Sequence, residues 1–81
     1  MSQSYDVYRE AEKLGYSRDD RRYPGCESTT FTKGDTEIVI QTGHEGRITY
    51  CWIKGQRRWL GPRDRDKAGA VIHWMRQAVT E

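Results

Sequence analysis

The chain has 81 residues and a formal charge of +2, from 14 Lys and Arg against 12 Asp and Glu, which fits one small domain and leaves no room for a second. Leu, Ile, Val and Phe number only 12, a scarcity typical of disorder, but the near-balanced charge argues against that reading, and three Trp and five Tyr add apolar area for an aromatic-rich core. A mean hydropathy of −1.00 without a long apolar run excludes a membrane-spanning helix, and the acidic Asp6, Glu10 and Glu12 speak against signal and transit peptides.

Residues 4–14 are expected to be helical, with Ser4 as cap, Asp6 at the positive end, and Val7, Ala11 and Leu14 at helical spacing. Gly15 is a natural left-handed stop, and Tyr16 is placed to fold back against the last turn. Residues 17–27 mix Arg and Asp without any period and read as an ordered surface loop, with Pro24 and Gly25 at the centre of a type II turn. From Ser28 the period becomes two. Ser28–Lys33, Thr36–Thr42, Arg47–Ile53 and Arg57–Leu60 read as strands rich in Thr, Ile, Val and aromatics.

Their short connections force antiparallel neighbours and a four-stranded meander. Regular alternation sets Ile48, Tyr50 and Trp52 on one face and Thr49, Cys51 and Ile53 on the other. Gly61-Pro62 ends the last strand. Asp64 or Asp66 caps a closing helix whose apolar stripe is Ala68, Val71, Ile72, Met75 and Val79. The expected fold is a single two-layer α+β domain over residues 1–81, in the order α-β-β-β-β-α. Trp52 and Trp74 are assigned to its core. Trp59 is ambiguous, because it alternates with Leu60 on an edge strand.

The small net charge is unevenly spread. Residues 1–33 are neutral, 34–53 carry −2, 54–67 carry +4 and 68–81 are neutral. The basic stretch, KGQRRWLGPRDRDK, offers Lys54, Arg57, Arg58, Arg63, Arg65 and Lys67, with Trp59 between them, as a nucleic-acid or partner-binding surface. Guanidinium groups grip phosphate bidentately, a two-stranded ribbon fits a major groove, and a helix start favours phosphate. The plainer reading is a solvated edge strand kept soluble by its charges, with Asp64 and Asp66 neutralising Arg63 and Arg65.

Other chemistry has little to build on. His44 and His73 are isolated and lack ligand-spaced partners, so no metal or other cofactor is expected. Cys51 alternates with Thr49 and Ile53 as a small core residue would, while Cys26 follows a turn. Two cysteines without CxxC spacing suit a reducing, cytoplasmic setting and make a Cys26–Cys51 disulfide improbable. No nucleophile elbow, P-loop, Rossmann fingerprint or zincin motif is present, and the carboxylate pairs lie in charged, wet segments; no catalytic residue is assigned and the chain is not expected to be an enzyme.

Two resemblances bear on function. The run from Ile48 to Arg76 resembles the N-terminal arm-binding domain of tyrosine recombinases, in which a basic hairpin with an LG ending precedes a helix and the sheet reads a major groove. Lys54, Gly55, Arg57, Arg58, Leu60 and Gly61 fit that pattern, and Ala68 to Met75 fit the helix. This covers about a third of the chain, which also has a preceding helix and a further strand and lacks the recombinase catalytic domain. In style the whole chain is similar to short accessory proteins of actinobacteriophages: Arg- and Trp-rich, free of Asn, with KGDTEIVI followed by GRITYCW. The resemblances imply a stand-alone DNA-binding role, with DNA ahead of RNA, or alternatively a module that binds and modulates a host protein. Neither implies a membrane partner, and a homodimer through the edge strand or final helix is a third arrangement.

Overall fold

The spacing of Val7 and Ala11 turns one side of the first helix inward, and both are buried. This helix, α1 (Gln3–Leu14), is followed by β1 (Ser17–Tyr23), β2 (Cys26–Lys33), β3 (Thr36–Thr42), β4 (Ile48–Ile53), β5 (Arg58–Leu60) and α2 (Lys67–Thr80). The structure, a computed structural model, describes residues 3–43, 46–54, 58–61 and 66–80. The strands form one antiparallel sheet in the order of the sequence. The α+β arrangement, with a meander between an N-terminal and a C-terminal helix, is as expected from sequence.

Both helix ends are built by local chemistry. Ser4 lies inside α1, buried, rather than capping it. At the other end Gly15 takes φ 84°, its amide donates to the Glu12 carbonyl, and the Tyr16 amide donates to the Ala11 carbonyl at 2.9 Å, the paired bonds of a Schellman stop. Lys33 donates to the Leu14 carbonyl, so a side chain from β2 satisfies one of the orphan acceptors. In α2 the cap is Asp66, whose Oδ1 accepts the Gly69 amide at 3.1 Å.

The segment read as a loop, residues 17–27, is instead a hairpin. Ser17–Tyr23 pairs along its length with β2, through a turn in which Gly25 has φ 82°. Its missing period has a physical cause. Every residue of β1 is exposed, so no apolar alternation is needed, and its charges find local partners. Arg18 meets Asp20 at 3.0 Å, Arg22 meets Glu27 at 3.4 Å and Arg21 meets Asp19 at 3.7 Å. A charged edge strand is also a poor template for unwanted pairing. The sheet therefore has the four expected strands and one more.

The register also alters which residues face the core. Thr42 pairs with Ile48 and Gln41 with Tyr50, leaving Thr49 as a bulge that is tied down by its hydroxyl donating to the Gln41 carbonyl at 3.2 Å. Ile48, Cys51 and Ile53 are buried beside Phe31, Ile38 and Ile40, beneath Val71, Trp74 and Met75 of α2. Tyr50 and Trp52 are turned to the other side, each 38% exposed. Trp74 is in the core as expected; Trp52 is not. The core is thus mainly aliphatic, with Phe31, Tyr16 and Trp74 as its large rings. Tyr16, just after α1, donates its hydroxyl to the Met75 carbonyl at 3.1 Å, and Glu10 of α1 meets Arg76 at 2.9 Å, so α2 is tied both to α1 and to the segment that follows it. Val79, the last member of the expected stripe, is exposed.

Candidate functional site

Because both helices contribute to the same core, the opposite face of the sheet carries the alternate residues of each strand. Across its centre run Asp19, Thr30, Val39 and Trp52, each paired in register with the next. The adjacent row is Arg21, Ser28, Gln41 and Tyr50. Val39 belongs to this face yet is only 8% exposed; directly opposed residues have Cβ atoms about 5 Å apart, so the large Trp52 side chain shields it. The bulge at Thr49 is what allows Ile48 to enter the core while Tyr50 and Trp52, two and four positions later, both face outward.

The basic segment begins where this face ends. Lys54 follows β4 directly; its amide donates to the Glu37 carbonyl at 2.9 Å and its ammonium meets the Glu37 carboxylate at 3.2 Å. Arg58 pairs in register with Ile53, and Trp59 with Trp52. The β4–β5 hairpin therefore brings Lys54 and Arg58 to the two sides of one turn. Arg57, Arg63 and Arg65 lie outside the described residues, as do the side chains of Arg58 and Trp59. Lys67 departs from expectation: as the first residue of α2 it is 8% exposed, packed in rather than offered to a ligand.

Several charged groups elsewhere are engaged within the protein. The Arg18 guanidinium lies 3.8 Å from the centroid of the Tyr8 ring while bonded to Asp20, a cation–π contact coupled to an ion pair. Buried Thr29 donates to Asp20 at 2.8 Å, and its hydroxyl lies 3.4 Å from that of Tyr8. The hydrogen bond from Arg18, with that from Thr29, holds the Asp20 carboxyl below the ordinary carboxylate range, and Asp20 in turn raises Arg18. On α1, the hydrogen bond from Arg76 lowers Glu10. Burial pushes the Tyr16 phenol up. These groups serve the fold, each held by a neighbour or by burial.

Cys26 and Cys51 are both free thiols. They sit on β2 and β4 with β3 between them, and strands two apart are separated by about 9.5 Å, beyond the ~7 Å that a disulfide spans. Among the described residues no three His, Cys, Asp or Glu side chains converge to hold a metal ion, and no helix is long and apolar enough to cross a membrane.

Sequence reasoning assigned Trp52 to the core and set Tyr50 on one face with buried Ile48, whereas both Tyr50 and Trp52 are surface aromatics. The signal was the bulge, and a single bulged residue leaves no mark in the sequence beyond an alternation that must break somewhere between Arg47 and Ile53. Comparison of the chain with protein-family models, with curated proteins and with solved structures finds no match in any of the three.

Proposed function

We propose that this chain is a small, non-enzymatic nucleic-acid-binding module, of the kind phages and mobile elements use, that contacts phosphates through its basic hairpin. The observation that carries this reading is the placement of charge. The +4 segment of residues 54–67 starts at Lys54, directly after β4 and two residues from Trp52. Lys54 is 72% exposed, and its pair with Glu37 is of the surface kind worth at most about 1 kcal/mol, so a phosphate competes for it readily. Arg57, Arg58, Arg63 and Arg65 supply bidentate donors from the same segment. Lys67 is no part of the contact, because its side chain is buried.

The test is titration of labelled single strands and duplexes at low salt, with Arg57→Ala/Arg58→Ala alongside. Binding that weakens in the variant and falls with added salt supports the reading. Failure of every oligonucleotide to bind removes it and leaves the host-protein reading, for which a nuclease-treated pull-down dependent on Arg57 and Trp59 is the corresponding test.

A further inference from the structure

We propose that the helix-free face takes a single strand of nucleic acid, DNA or RNA, with neighbouring bases lying on the rings of Tyr50 and Trp52; the proposal rests on the nucleic-acid reading above. Both rings are exposed on the same side of one strand. Two positions along a strand are about 6.6 Å apart, twice the ~3.3 Å rise per residue. Bases in a duplex strand are stacked about 3.4 Å apart with their faces hidden. A ladder of rings at double that spacing therefore suits bases that have been unstacked and spread, which only a single strand offers without the cost of opening a helix.

The surroundings of the two rings suit the same ligand. Gln41 is opposite Tyr50 and Val39 opposite Trp52, with Ser28 and Thr30 one strand further out, so the immediate neighbours are uncharged and do not repel a phosphate backbone. The acids on this face, Glu37 and Asp19, each lie beside a cation, Lys54 at 3.2 Å and Arg21 at 3.7 Å, so together these four groups carry no net charge. The chain that carries the rings leads within two residues from Trp52 to Lys54, where the basic segment begins. A strand whose bases rest on Tyr50 and Trp52 thus has its phosphates directed toward Lys54, whose side chain is 72% exposed.

The experiment measures affinity for labelled oligo-dT, oligo-U and a duplex of matched length, at one low salt concentration, for the unaltered chain and for Trp52→Leu, Trp52→Phe and Tyr50→Leu. Far-UV circular dichroism checks that each variant folds. Single strands are expected to bind more tightly than the duplex, each Leu variant to lose about 5- to 140-fold, and Trp52→Phe to retain most of the affinity because it keeps a ring. Oligo-dT against oligo-U separates the two sources of single strand. The inference is overturned if the duplex binds as well as the single strands, or if both Leu variants bind like the unaltered chain while Arg57→Ala/Arg58→Ala weakens binding; the nucleic-acid reading then survives. If no oligonucleotide binds, both fall together.

Discussion

At the scale of single residues, Trp52 and Trp74 make the sharpest contrast, since both read as core in the sequence. Trp74 is 7% exposed within the core cluster and Trp52 is 38% exposed on the open face. Trp74→Ala should cost about 3–5 kcal/mol, as emptying a buried aromatic site does. Trp52→Ala should cost roughly 1–2 kcal/mol, the value of a partial burial. Urea midpoints at unchanged m-value check both, and equal losses would mean that Trp52 is a core residue after all. A second residue-scale prediction concerns Asp20. Its carboxyl is held below the ordinary ~3.9 by Arg18 and Thr29, so the folded chain binds its proton less readily than the unfolded one. The resulting stabilisation is complete above the unfolded value and is lost as pH falls through the lower folded value. Because the Asp20 side chain is 39% exposed, the effect stays below about 1 kcal/mol. Between pH 6 and pH 3 the urea midpoint should therefore fall more for the unaltered chain than for Asp20→Asn.

At the scale of elements, the start of α2 opposes two effects of similar size. An Ala in place of a helix-interior Gly ordinarily gains up to about 1 kcal/mol. At Gly69 an added Cβ would lie 2.3 Å from Oδ2 of Asp66, displacing the carboxylate that caps the helix, a loss of about 0.5–2 kcal/mol. Gly69→Ala should thus bring no net stability in the native background and should recover its gain once Asp66→Ala has removed the cap. Thermal melts of the four members of that cycle test it. The same scale shows what sequence could and could not reveal. α1, α2 and the strands between Ser28 and Ile53 follow from periodicity, because each buries one side. β1 was hidden because an edge strand with every residue exposed has no period to show; only its cross-strand partners, Thr29 for Asp20 and Glu27 for Arg22, reveal it. The turn at Pro24-Gly25 was visible, but a turn alone does not announce the strand before it. The bulge at Thr49 was equally silent, and it decides which way two aromatic residues face.

At the scale of the whole molecule, the two helices and the sheet share one core, and the excess positive charge falls in the sequence segment 54–67 that follows β4. Composition was enough to find the +4 segment, because counting charge needs no geometry. It was not enough to sort the segment. Lys54 and Arg58 are set on either side of a turn by the register of β4 with β5, whereas Lys67 enters the protein at the first turn of α2, a distinction that depends on how α2 docks. The balanced +2 of the chain thus conceals a +4 segment that begins two residues after the exposed Trp52, and the proposed nucleic-acid reading rests on that adjacency.

The most direct test is the salt dependence of oligo-dT binding, measured for the unaltered chain and for Arg57→Ala/Arg58→Ala. Each phosphate contact to a single strand contributes about 0.7 to the slope of log affinity against log salt. Loss of both arginines should make the slope shallower by about 1.4 while the fold is retained. Identical slopes for the two proteins, or no binding at the lowest salt, would contradict the assignment of phosphate contact to this hairpin.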